Sequence, residues 1–474
     1  MTPRADDNLA RIEAIEGGRP LISNLAPPVA DAAEPLVPRG VLSIFDQAIV
    51  SGTNFLTLLI LARACSQEDV GLYSLAWTLV VFLTAAQANL ISLPYTMYSH
   101  RRQGDDLATY AGSALVHQLL ASLAAVLCFL VLDVTLAFDV GPQRLRPAAW
   151  VLLGAIPFIL LRDYARRSCL AHLTLSTAIV VDALVATLQM ATLLALAWSE
   201  LLSPATGYAA MGGACAVACL VWWLFTPQAI HFSWKGIRDD WRLNWGFGKW
   251  ALVSQMTGLA FYALPWLLAS VHGEAQAGEL AACTTLVGLA NLFVIGLNNY
   301  LMPRAAQAFA RHGRFGLAVV LKKAISAAVA SLGPLCVIVF FIGNVLAGKI
   351  FGVAYADTGT LMTVLAVAAL LDSIGLTAST GVWAIDRPAA NFWSDSLQMA
   401  VTLVVAMWLV FPMAAVGIGV AIVVGRIAGS VLRWTVLVQS LRAHPGKMAA
   451  LSEVEGGLPT PYVAHVAEGG QIGQ

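Results

Sequence analysis

Five polar side chains sit where the surrounding residues leave them little company: His117, Asp182, Asp372, Arg426 and Asn54 each interrupt a long apolar run. In a hydrocarbon setting an ionisable group costs about 2.5 to 3.5 kcal/mol at a helix centre, so such residues seldom face lipid. His117 and Asp182 fall at similar depth and suit the uptake and release of a proton, although each also suits a polar contact in helix packing. Asp372 and Arg426 suit an internal ion pair. The planar guanidinium of Arg426 also suits bidentate binding of a pyrophosphate. Gly425 and Gly429 flank it as a GxxxG step, which reads equally as a tight helix contact. Asn54, Gln87, Gln189, Asn291 and Asn298 fit the lining of a hydrated cleft or hydrogen bonds between helices, whereas Asp46 and Asp395 lie nearer a membrane surface.

The elements that must carry these groups are membrane-spanning helices. Hydrophobic residues make up 59% of the chain and charged residues 11%, with a mean hydropathy of +0.76, against about 25% charged in soluble domains. Apolar runs such as 178–198 and 317–347 are long enough to cross about 30 Å of hydrocarbon, where backbone groups must pair within the segment. Spans are expected near 41–63, 70–98, 107–132, 147–166, 174–199 and 206–226, and again near 248–271, 278–303, 318–347, 358–385, 389–411 and 415–441.

Basic residues gather on alternate loops: Arg101 and Arg102, then Arg162, Arg166 and Arg167, then Lys235, Arg238 and Arg242, then Arg304, Arg311 and Arg314, then Arg387. The positive-inside rule then puts both ends of the chain in the cytoplasm and favours an even number of spans. Residues 1–40 and 442–474 read as disordered cytoplasmic tails.

The halves repeat. The constant offset that pairs Leu61-Ala62 with Leu268-Ala269 also pairs Gly71 with Gly278, Thr78 with Thr285, Leu79 with Leu286 and Val80 with Val287. A duplicated six-span unit keeps parallel topology, so the expected fold is all-α and polytopic. It has about twelve transmembrane helices in two six-helix lobes (41–226 and 248–441), related by a pseudo-twofold axis along the membrane normal. Between them, residues 227–247 place Trp234, Trp241 and Trp245 on one helical face beside Lys235 and Arg242, which suits an amphipathic linker in the cytoplasmic interface.

Several functions lack their residues. No phosphate-binding Gly loop, HExxH or GxSxG motif stands at a usable place, so neither a nucleotide site nor a nucleophilic enzyme is expected. The net charge of zero gives no hint of a nucleic-acid partner. The seven cysteines include no CxxC pair, and Cys215 and Cys219 read as packing residues rather than metal ligands. No cofactor is expected.

One segment carries a resemblance. Ala62-Arg63, then Gln67-Glu68-Asp69-Val70-Gly71-Leu72-Tyr73-Ser74-Leu75-Ala76, preceded by Ser51-Gly52-Thr53-Asn54-Phe55, resembles the start of the polysaccharide-exporting, O-antigen translocase-type flippases of the multidrug/oligosaccharidyl-lipid/polysaccharide (MOP) exporter superfamily. Cys65-Ser66 stands where that family has Leu-Gly. The resemblance implies a MATE-like V-shaped transporter in a bacterial inner membrane that moves an undecaprenyl-pyrophosphate-linked oligosaccharide between leaflets by alternating access. It also implies coupling to H+ or Na+, with glycosyltransferases and a polysaccharide polymerase as partners. Arg63, Glu68, Gly71 and Tyr73 are then expected to shape the outer end of the first hairpin.

Two rivals stand beside it. A MATE-type drug or metabolite cation antiporter would want an acidic or aromatic cleft. A membrane-embedded glycosyltransferase or polymerase would want paired carboxylates, for which Asp133 and Asp139 in the longest outer loop are the candidates.

Overall fold

The computed structural model describes residues 36–172, 174–225, 230–385 and 387–443. The expected tails lie outside these residues except at 36–40 and 442–443, as do the side chains of Asn291 and Asn298. Among the described residues every regular element is helical. The first half contains α1 (Leu36–Ala64), α2 (Gln67–Gln87), α3 (Gly104–Ala137), α4 (Arg146–Ala171), α5 (Leu175–Trp198) and α6 (Pro204–Phe225). The second contains α7 (Trp234–Leu259), α8 (Leu264–His272), α9 (Glu274–Gly288), α10 (Ala290–Phe351), α11 (Gly359–Ala384) and α12 (Pro388–Ala443).

Nine stretches among the described residues are long and apolar enough to cross a membrane. One of them, Ala389–Arg442, is a pair of spans: the backbone leaves the helix at Ala414 (φ 47°), just after Pro412, and Gly425 and Gly429 of the returning arm pack on Thr402 and Gln398. The seventh and eighth spans are each built from two helices. The end of α7 passes through a 3-10 turn, Ala260–Ala263, into α8, and α9 meets α10 at Leu289. A further break at Gly313 (φ 57°) separates the eighth span from the ninth. The fold is therefore the expected one of twelve spans in two six-helix halves about a pseudo-twofold axis.

Local sequence explains where the helices begin. Ser66 accepts a hydrogen bond from the Asp69 amide and the Asp69 carboxylate accepts from the Ser66 amide, a reciprocal cap that starts α2. Pro147 and Pro204 occupy first turns, where a missing N–H costs nothing. Pro94 cannot donate within a helix, and the chain widens into a π-type turn at Ala88–Ser92 before continuing as Leu93–Ser99.

The radial pattern is that of a protein dissolved in lipid. Helix α3 exposes Leu119, Leu120, Leu123 and Leu127 and buries Ser113, His117, Gln118 and Ser122. With lipid as solvent, polar groups are what the interior must collect.

The repeat is visible as a contact. Gly71 of α2 and Gly278 of α9, paired by the sequence offset, touch each other: a methyl group on either would overlap the backbone of the other helix, at Glu274 and Gln67 respectively. Only glycine allows two helix backbones to approach so closely. Polar contacts join the halves at this end. Arg63 donates from Nε to the Ile350 carbonyl (2.5 Å) and from its terminal nitrogen to the Lys349 carbonyl, at the C-terminus of α10. Gln67 donates to the Ala354 carbonyl (2.6 Å), and deeper in, the Trp266 indole donates to Thr78 (2.6 Å).

The opposite end is organised by α7. It begins at Trp234 and runs without interruption through the expected boundary at 247/248, so linker and seventh span are one rod. Its buried face is polar: Asp240 pairs with Arg102 (2.8 Å) and Asn244 accepts from the Tyr110 hydroxyl (2.9 Å). The backbone at Gly248 lies against that of Asn89 in the π-type turn. Tyr110 stacks on Tyr95, whose hydroxyl meets His172 (2.9 Å). Burial and the neighbouring His100 lower the pKa of His172. Trp234, Trp241 and Trp245 stay exposed on the outer face.

Candidate functional site

Two cavities share a wall near the middle of the bundle. The larger, about 750 Å³, lies on the pseudo-twofold axis, because residues paired by the repeat line it together: Tyr73 with Leu280, Ser74 with Ala281, Trp77 with Thr284, and Thr78 with Thr285. Its second-half wall is charged. Arg426 and Arg433, two turns apart on the returning arm of α12, face Asp372 of α11 and Asp395 of the outgoing arm. Arg426 pairs with Asp372 and Arg433 with Asp395. The Nε atom of each arginine has no partner although it is buried. The phenyl ring of Phe261 lies 5.9 Å from the Arg426 guanidinium.

The smaller cavity, about 480 Å³, is lined by Asn54 of α1, Trp77 of α2, Arg162, Asp163 and Arg167 of α4, and Asp182 and Gln189 of α5. Trp77 and Gln255 line both cavities. Every carboxylate here has an arginine. Asp182 receives Arg162 (2.5 Å) and Arg166 (2.7 Å), Arg166 also reaches Asp46, and Arg167 pairs with Asp163 (2.6 Å). Arg166 thus ties α4 to α5 and α1. Gln189 adds a second tie, donating to Thr57 (2.8 Å).

The structure sorts the expected site residues into three places. Asp372 and Arg426 meet in the larger cavity, with Tyr73 on the opposite wall. Asp182 and Asn54 line the smaller one. His117 lines neither: its Nε2 meets the Ile237 carbonyl (2.9 Å) and its ring packs on Trp241, so it holds α7 and is not brought to Asp182. The hairpin motif is structural in its contacts. Glu68 and Asp69 pair with Arg144 (2.5 and 3.3 Å), Arg63 reaches α10, and Gly71 makes the crossing with α9. Gly425 and Gly429 pack on the outgoing arm, while Arg426 between them faces the cavity.

Several residues of the site went unremarked in the sequence or were read otherwise. Arg162 and Arg166 count as loop charges until α4 is seen to continue to Ala171. The signal was their i, i+4 spacing, which puts both on one face. Asp46 is buried, held by Arg166. Gln87 bridges the π-type turn to Ser92 (2.9 Å). Asp133 pairs with Arg146 (2.9 Å) while Asp139 sits in a tight turn (φ 59°). Cys215 and Cys219 are buried, with Cys219 against the Phe158 carbonyl.

No protein-family model and no curated protein sequence matches the chain. Solved structures do. A multidrug resistance MATE family transporter of the MOP superfamily, in its inward-facing conformation, superposes with a TM-score of 0.70 at 14% identity, over 84% of this chain and 95% of that one. The lipid II flippase MurJ, in an inward closed conformation, gives 0.68 at 11% identity over 90% and 94%. A MOP superfamily transporter from Pyrococcus furiosus gives 0.60 at 13% identity over 86% and 95%. The chain therefore has the fold of the MATE- and MurJ-type transporters.

Proposed function

We propose that this protein is a flippase for a lipid-linked oligosaccharide of the polyprenyl-pyrophosphate type, working in a bacterial inner membrane by alternating access, with both ends of the chain in the cytoplasm. The observation that carries this reading is the charged wall of the central cavity. Arg426 and Arg433 stand on one helix face, each holding an aspartate that a pyrophosphate oxygen can replace, since a planar guanidinium binds either anion bidentately. Alternating access is supported by contacts between the halves at both ends: Arg63, Gln67 and the Gly71–Gly278 crossing at one, and the Arg102 and Tyr110 contacts with α7 at the other. Parting one end while the other closes would carry a headgroup through and leave the lipid tail outside.

A cation antiporter of the same fold is the competing reading. It asks for an acidic group free to meet its cargo, whereas Asp163, Asp182, Asp372 and Asp395, the carboxylates on the cavity walls, all face arginines. The test is reconstitution in vesicles loaded with a labelled polyprenyl-pyrophosphate sugar. Wild-type protein should bring the label to the far leaflet, and Arg426→Ala should abolish this while still inserting. Normal flipping by that variant would remove Arg426 from the site. Binding of organic cations but not of the prenyl pyrophosphate would overturn the assignment.

A further inference from the structure

The smaller cavity has a chemistry of its own. Its ionic groups neutralise one another, so it offers no net charge to an anion or a cation. Beside its ion pairs it carries neutral groups with no partner: the amides of Asn54 and Gln255 and the indole of Trp77 make no side-chain hydrogen bond among the described residues. Asn54 and Gln255 are solvent-accessible and line the cavity, so neither amide serves to join helices. An amide both donates and accepts, as vicinal hydroxyl groups do. An indole face beside such amides provides a flat apolar platform.

Trp77 also breaks the symmetry of the bundle. Its partner in the repeat is Thr284, so the larger cavity has an indole on its first-half wall where the second half has a small hydroxyl. That indole lines both cavities.

We infer that the smaller cavity is a saccharide subsite, in which Asn54, Gln255 and Trp77 hold the first sugar of the cargo while its pyrophosphate lies at Arg426 and Arg433. This rests on the proposed flippase function and divides its site into two parts. The anion is recognised by the arginines of the second half and the sugar by neutral groups of both halves, Asn54 and Trp77 from the first and Gln255 from α7. A rigid headgroup bridging them would touch both halves, and so report on whether they have closed around it.

The test is binding to purified full-length protein in nanodiscs with two probes, a bare polyprenyl pyrophosphate and the same lipid carrying one N-acetylhexosamine. Wild-type protein should bind the glycosylated probe more tightly. Asn54→Ala and, as a milder change that keeps an aromatic wall, Trp77→Phe should each weaken only the glycosylated probe, by about tenfold for one lost polar or stacking contact. Arg426→Ala should weaken both. Equal binding of the two probes by wild-type protein, or an equal loss for both in Asn54→Ala and Trp77→Phe, would overturn the subsite and leave the flippase assignment standing. Failure of wild-type protein to bind either probe would overturn both.

Discussion

The buried charges of this chain are matched one against another, and the consequence for each depends on what its partner would lose. Asp182 has almost no exposed side chain (0%) and serves two arginines that are themselves 17% and 15% exposed. Removing one member of such a group leaves charge uncompensated in a low-dielectric interior, at a cost of about 3 to 5 kcal/mol. Asp182→Ala should therefore lower thermal stability in detergent markedly, and an unchanged melting profile would show that Arg162 and Arg166 find water. His117 is a different case. Because its ring nitrogen meets a backbone carbonyl on α7 and lines neither cavity, His117→Ala should leave the pH dependence of transport as it was and reduce stability modestly. A shifted pH profile would return His117 to a proton role. The sequence pointed to Asp182, Asp372 and Arg426 through the cost of charge in an apolar run, and that argument is local. It could not find Arg433, because only the hairpin in α12 brings that residue beside Asp395.

At the level of helices, the crossing of α2 and α9 is the least tolerant contact between the halves. Gly71→Leu would force the two backbones apart at the point where neither can yield. The halves should then part at the Arg63 end, and a cysteine placed by Thr285→Cys on the cavity wall, in a background free of the native cysteines, should react faster with an impermeant thiol reagent added from that side. An unchanged rate would mean that the crossing does not seal the cavity. The Glu68-to-Tyr73 stretch around Gly71 was legible as a hairpin signature, and the repeat pairing of Gly71 with Gly278 was legible as an alignment. That the two glycines touch was not, since an offset relates positions and says nothing about which faces meet. Helix α7 shows the complementary limit. Its tryptophans announced an amphipathic helix, but the buried face turned out to be the polar one, through Asp240 and Asn244, because the partners Arg102 and Tyr110 come from more than a hundred residues away.

For the molecule as a whole, transport requires that the contacts between halves be breakable. Cysteines introduced by Gln67→Cys and Ala354→Cys and joined with a short reducible cross-linker should stop flipping, and a reductant should restore it. Transport by the cross-linked protein would show that this end does not need to open. Composition, span length, loop charge and the internal repeat were enough for twelve helices in two like halves, because each follows from the bilayer acting as solvent along the chain. Tertiary structure alone settled which charges face one another, that the two cavities share the wall of Trp77 and Gln255, and which polar contacts join the halves at each end. Those are pairings between helices distant in sequence, and in lipid they depend on side-chain packing and charge matching across helix faces, which hydropathy along the chain does not record.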